Sequence, residues 1–182
     1  MEIRSLGEDI WEIPDFLSEE EQSTFLFALN FSADGLWDVD EEAGPWAGRS
    51  VLIDSFKNPV LKSLAFSVEQ RLNSMFTNYT FIHQLNHFLR ASEGQGMDVH
   101  TDNVEPADKV NMFGVVIYLN DDYEGGEIHY PELNLTHKPL ACSMVVHRAS
   151  RAHGVRPVTG NKVRYVMTSF VKGDASTKFK GE

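Results

Sequence analysis

The chain has 182 residues, 42% of them hydrophobic and 24% charged, with a formal net charge of −11. That length reads as one domain able to bury roughly 70% of its unfolded surface, no apolar run approaches the ~20 residues of a membrane helix, and the acidity disfavours phosphate backbones while suiting solubility or a basic partner. Cys142 is the only cysteine and Met1-Glu2-Ile3-Arg4 lacks the basic and apolar regions of a secretory signal, so no internal disulfide can form and a cytoplasmic location is expected.

Glu8 to Pro14 reads as a first strand. Ser18-Glu19-Glu20-Glu21 has the form of a capping box and predicts a helix running to about Asn30. A second helix begins at Asn58-Pro59, with Asn as cap and Pro at the first helical position. Its apolar residues Leu61, Leu64, Ala65, Val68, Leu72 and Met75 lie on one face of a 3.6-residue period. Between the helices, Phe31 to Phe56 reads as a long loop holding Trp37, Gly44, Pro45, Trp46 and Gly48. Loops of that length are usually functional or mobile; the two Trp side chains could contact a substrate or pin the loop to the core.

From Thr77 the pattern turns to strands: Tyr79 to Arg90, Val110 to Asn120, Gly126 to Tyr130, Asn134 to His137, Ser143 to His147 and Lys162 to Val171. Short strands at this spacing suggest a sandwich or barrel. The expected class is mainly β with packed helices: a jelly-roll core with two N-terminal helices on one sheet. The expected layout is helical support over 1–78, core over 79–172 and a C-terminal tail over 173–182, all in a single domain.

The chemistry-bearing motif is His100-Thr101-Asp102, followed by His153 in the run His-Gly-Val-Arg-Pro-Val and by Arg164 eleven residues further on. In a strand, residues i and i+2 share a face, so His100 and Asp102 can reach one metal. His153 would supply the third ligand from a distant strand. Two imidazoles and a carboxylate form the ligand set of a non-haem Fe(II) site with open positions. Catalytic Zn(II) uses similar ligands, so ligand type alone leaves the metal open. His147, which follows Met144-Val145-Val146, competes with His153, and His153 is preferred for the residues that surround it. His83, His87, His129 and His137 read as surface or hydrogen-bonded residues. Gly125-Gly126 reads as a turn into the next strand, since Gly supplies positive φ cheaply.

Together these motifs, with Tyr118-Leu119-Asn120 through Gly125-Gly126-Glu127 and with Arg164-Tyr165, resemble the Fe(II)- and 2-oxoglutarate-dependent dioxygenases, in particular the prolyl 4-hydroxylase-like branch. The resemblance covers roughly Tyr79 to Val171, with weaker support from Ile13-Pro14-Asp15-Phe16-Leu17. It implies a double-stranded β-helix and an oxidoreductase using Fe(II), 2-oxoglutarate and O2, with ascorbate as a reductant. By position, His100, Asp102 and His153 would hold the iron. Arg164 would pair with the distal carboxylate of 2-oxoglutarate, Tyr118 would donate its hydroxyl to it, and Thr168 would line the same pocket. Lys162 is the rival anchor. Two departures stand out: Phe88 to Gly96 lacks the Tyr many relatives carry before the Gly-rich turn, and Val166 stands where many have Ser.

The implied reaction is hydroxylation of an unactivated C–H bond, with a prolyl residue of a peptide or protein as leading substrate. Trp37, Trp46, Arg49 and the acidic run Asp102 to Asp108 are candidate substrate contacts. A free amino acid or other small molecule is the first alternative. A nucleic-acid demethylase is disfavoured by the charge and by Phe170, which stands where such enzymes bring a second Arg. A non-catalytic β-barrel module retaining a metal, a cupin-like isomerase and a zinc hydrolase complete the rivals; none of them needs Arg164.

Overall fold

The computed structural model describes residues 1–33, 36–39, 48–82, 87–103 and 110–182. Gly44, Pro45, Trp46, His83 and most of the acidic run after Asp102 lie outside them. In place of one strand over Glu8–Pro14, the chain forms a hairpin of β1 (Arg4–Gly7) and β2 (Ile10–Ile13). Asp9 makes the turn at φ 63°, a conformation an Asp side chain tolerates better than most.

Helix α1 (Glu19–Asn30) has the expected capping box: Ser18 Oγ accepts from Glu21 N at 3.2 Å, and Ser18 N donates to Glu21 Oε2 at 2.9 Å. The chain then passes through β3 (Asp38–Val39) and β4 (Arg49–Leu52) to α2 (Pro59–Asn73). Asn58 Oδ1 caps α2 by accepting from Val60 N at 2.9 Å. Leu61, Ala65, Val68 and Leu72 are buried, as the periodicity predicts. The helices are tied by Arg71, whose guanidinium donates to both Glu21 carboxylate oxygens and to the Phe16 carbonyl.

The segment expected as a loop over Phe31 to Phe56 thus contributes strands. β4 pairs with β6 (His87–Ala91), and Val51 is buried. Four residues, Arg-Ser-Val-Leu, carry too little alternation to signal a strand; the neighbouring strand supplies the reason to form one. Trp37 is pinned to the core. Its Nε1 donates to Ser32 Oγ at 2.8 Å, and the Arg90 guanidinium lies 4.4 Å from its ring.

The remaining strands are β5 (Phe76–Ile82), β7 (Met97–His100), β8 (Val110–Tyr118), β9 (Glu124–Gly125), β10 (Ile128–Tyr130), β11 (Leu135–His137), β12 (Met144–Arg148), β13 (His153–Val155), β14 (Val158–Thr159) and β15 (Arg164–Phe179). The major sheet runs β1-β2-β12-β8-β15-β6-β4-β3, with β5 also on β15; the minor sheet runs β11-β10-β13-β7. Every pairing between these strands is antiparallel, giving the expected jelly-roll core with the two helices on the major sheet. β15 continues past Val171 to Phe179, well into the segment read as a tail. Lys178 and Phe179 pair with Thr77 and Phe76, and the Phe179 ring packs 5.3 Å from Trp11.

Both faces of the major sheet are covered. Phe113, Val115, Ile117, Met144, Val146, Met167 and Val171 meet the helices. The alternate residues Tyr118, Val145 and Val166 meet Ile128 and Tyr130 of the minor sheet. Alternation along β8, β12 and β15 therefore decides which side chains look into the space between the sheets. His147 and Arg164 fall on that inner face.

Candidate metal centre and active site

β13 runs antiparallel to β7 and sets His153 directly opposite His100, with ring centroids 4.5 Å apart. β7 ends at His100, so strand alternation alone does not place Asp102. Backbone and side-chain bonds do: Asp102 N donates to Ala149 O at 2.8 Å, and Asn111 Nδ2 donates to Asp102 O at 2.8 Å. Asp102 Oδ1 then lies 3.3 Å from His100 Nε2, and Oδ2 lies 3.9 Å from His153 Nε2. One ligand atom from each of the three residues falls within 4.8 Å of the others, and this is the only such cluster among the described residues.

The ring orientations suit a metal. His100 Nδ1 donates to Asp98 O at 2.9 Å and His153 Nδ1 to Arg151 O at 3.0 Å. Spending Nδ1–H on a carbonyl leaves Nε2 with its lone pair facing Asp102. Burial opposes ionisation of Asp102, but its contacts with His100 and His147 outweigh it and hold the carboxyl well below the usual carboxylate range. Burial, reinforced by His147, pushes the His153 imidazole down to about 3. Burial also acts to lower His100, and its contacts with Asp102 and the Asp98 carbonyl more than reverse that. At neutral pH the carboxylate is charged and His153 is neutral, the forms a cation needs.

His100, Asp102 and His153 line a cavity of about 360 Å³ that also holds Arg164, Thr168 and, at 0% exposure, His147. Arg164 is 2% exposed, and among the described residues no carboxylate pairs with it. A buried cation without a counter-charge costs several kcal/mol. The corner around it is short of partners too: among the described residues, Tyr118 Oη, Tyr123 Oη and Arg164 Nε are buried with no hydrogen-bond partner. Burial raises both phenols, keeping them protonated donors. Gly126, at φ 66°, makes this corner possible, since a Cβ there would lie 2.9 Å from the Tyr123 ring and 3.0 Å from Arg164 Cδ. Donors that share one dry corner and lack an acceptor fit a bound carboxylate.

The sequence-derived set thus divides cleanly. His100, Asp102, His153, Arg164 and Thr168 share one cavity, and Tyr118 lies behind Arg164 with its ring 5.2 Å from the guanidinium carbon. Lys162 does not join them: it is exposed and pairs with Asp122 at 3.3 Å. Three residues have places that the sequence reading did not assign, His147 having been weighed there as a rival ligand and His87 as a surface or hydrogen-bonded residue. Tyr123 joins the Arg164 corner, His87 lines the cavity, and His147 bonds Asp102 Oδ2 at 3.1 Å. The motif Asp-Asp-Tyr-Glu-Gly-Gly could have flagged Tyr123 as the partner that the Tyr-free stretch Phe88 to Gly96 leaves wanting.

A sequence profile of the 2OG-Fe(II) oxygenase superfamily matches residues 83–172. The chain belongs to that superfamily, which makes it a 2-oxoglutarate-dependent dioxygenase with Fe(II) as metal. No curated protein matches it by sequence. Among solved structures, it is similar to the viral collagen prolyl hydroxylase of Paramecium Bursaria Chlorella virus-1 in its 2-oxoglutarate complex (17% identity, TM-score 0.67, covering 92% of this chain and 98% of that one). A prolyl hydroxylase from Trichoplax adhaerens in complex with a hypoxia-inducible-factor peptide shares the fold at 20% identity and TM-score 0.63, over 90% of this chain and 83% of that one. HygX from Streptomyces hygroscopicus, with nickel, 2-oxoglutarate and hygromycin B bound, does so at 13% identity and TM-score 0.59, over 92% and 84%. No helix among the described residues is long and apolar enough to cross a membrane.

Proposed function

We propose that this dioxygenase hydroxylates a prolyl residue in a peptide or protein, with the metal held by His100 Nε2, His153 Nε2 and the Asp102 carboxylate. Bound Fe(II), with O2 and 2-oxoglutarate, supplies the oxidising chemistry that puts a hydroxyl on an unactivated C–H and leaves succinate and CO2. The protein's part is binding, orientation and exclusion of water. Three ligands on one side of the cavity leave the other side open for cosubstrate and O2. Arg164 offers a planar fork to the distal carboxylate of 2-oxoglutarate, Tyr118 and Tyr123 donate their hydroxyls to it, and Thr168 lines its path.

The observation that carries this reading is the sharing of one cavity by the His-Asp-His cluster and by a buried, uncompensated Arg164. The substrate rests on likeness of fold to a prolyl hydroxylase over 92% of this chain and 98% of that one. A small molecule is the second reading, favoured by the fold shared with HygX and by a cavity near the small end of the ~300–1,000 Å³ ligand range. Purified protein with Fe(II) and 2-oxoglutarate, offered proline-containing peptides, free proline and small polar compounds in parallel, separates them. Succinate formation coupled to a hydroxylated peptide supports the proposal. Coupling only to a small molecule replaces the substrate, and no coupled turnover with any of them contradicts the activity.

A further inference from the structure

We propose that His147, backed by Tyr130, is a positioning residue that ties down Asp102 Oδ2 and thereby sets the metal affinity of the His100–Asp102–His153 site; this rests on the ligand assignment above. His147 is fully buried on the inner face of β12, opposite Gly114 of β8. Its Nε2 lies 3.1 Å from Asp102 Oδ2 and its Nδ1 3.0 Å from Tyr130 Oη. A carboxylate only accepts, so Nε2 carries the proton and donates. Nδ1 is then the acceptor, and the Tyr130 hydroxyl donates to it.

With both nitrogens engaged, His147 has no lone pair left for a metal. Its ring is only 4.1 Å from that of His153, yet it stands behind the ligands and not among them. The arrangement supports His153 over His147 as third ligand, the choice that the residues around His153 also favour.

Three elements from both sheets meet in this chain of bonds. Tyr130 sits on β10 of the minor sheet, His147 on β12 of the major sheet, and Asp102 follows β7 of the minor sheet. The major sheet makes room for it. A Cβ on Gly114 would lie 2.3 Å from Asp102 Oδ2 and 2.5 Å from His147 Nε2. An apolar side chain would fill the same inner-face position at less desolvation cost. The imidazole is accounted for by what it donates. Without that donor the Asp102 carboxylate is free to turn about Cβ–Cγ, and one ligand of three loses its orientation. Partners behind metal ligands characteristically change metal affinity by ~10–100-fold.

The test is titration of the metal-free full chain with Mn(II), which reads binding without turnover, alongside thermal melting of the metal-free proteins. Wild type binds one Mn(II), and His153→Ala loses it. His147→Phe, which keeps bulk but not the donor, binds ~10–100-fold more weakly. His147→Gln restores affinity to within a few-fold of wild type because its amide N–H can reach Asp102, and Tyr130→Phe falls between. Metal-free melting of His147→Gln and Tyr130→Phe reports folding separately, and these two decide the matter if His147→Phe does not fold. Wild-type affinity in His147→Phe, or equal losses in the Phe and Gln variants, overturns the positioning role while leaving the ligands intact. Wild-type affinity in His153→Ala overturns the ligand assignment itself.

Discussion

His100 and His153 face each other across the β7–β13 ladder, 53 positions apart in the chain and registered as direct partners. Each spends its Nδ1 on the carbonyl two residues before it, Asp98 O or Arg151 O, and turns Nε2 inward. The strand register therefore builds the site before any metal arrives.

His100→Ala and Asp102→Ala each remove one of the three proposed ligands and should abolish Fe(II)-supported turnover of 2-oxoglutarate. Loss of Mn(II) binding in the metal-free protein, with circular dichroism unchanged, is the check that the effect lies at the metal.

Arg164→Ala should act on the cosubstrate and not on the metal. Hydrogen bonds to a charged group contribute ~1.5–3 kcal/mol, so the 2-oxoglutarate requirement should rise about 10–100-fold while Mn(II) affinity holds. Tyr123→Phe should raise it by a smaller factor. Turnover measured against 2-oxoglutarate concentration reads both. Unchanged behaviour of Arg164→Ala at low cosubstrate would mean the carboxylate is held elsewhere.

Gly114→Ala should cost metal binding although residue 114 is no ligand. The new methyl would lie 2.3 Å from Asp102 Oδ2, so the carboxylate must move. Overpacking of this kind also destabilises by ~1–3 kcal/mol. Mn(II) titration beside a thermal melt separates the two effects.

Much of this was legible in the chain. The helix caps at Ser18 and Asn58 are local signals, and the apolar runs of β8 and β12 follow from burial on both faces. The His-x-Asp spacing, the downstream His153 and Arg164 are likewise readable one position at a time. What stayed hidden depends on cross-strand partners. His147 reaches Asp102 only because β12 pairs with β8 at Gly114. Residues 173–179 fall in the segment read as a C-terminal tail and become strand because β5 waits beside them. The Glu8–Asp9 turn was missed because an Asp at positive φ leaves little trace in a strand-like run.

Arg71 gives a prediction away from the cavity. It joins α2 to α1 through Glu21, whose hydrogen bonds with Arg71 hold its carboxyl below the ordinary value against the opposing effect of burial. A depressed folded-state value means the contribution is complete above the unfolded Glu value of ~4.3 and fades as pH falls through the lower folded one. Arg71→Met should lose ~1–3 kcal/mol at pH 7. The gap to wild type should narrow below pH ~4. Urea unfolding at several pH values measures it.

One cavity should hold a metal at one side and a gripped carboxylate at the other. A crystal structure grown with Mn(II) and 2-oxoglutarate, with the metal located by its anomalous scattering, tests it most directly. The expected result is one Mn(II) bound by His100 Nε2, His153 Nε2 and Asp102, with the distal carboxylate of 2-oxoglutarate on Arg164. A metal held by other residues, or a cosubstrate bound away from Arg164, would contradict it.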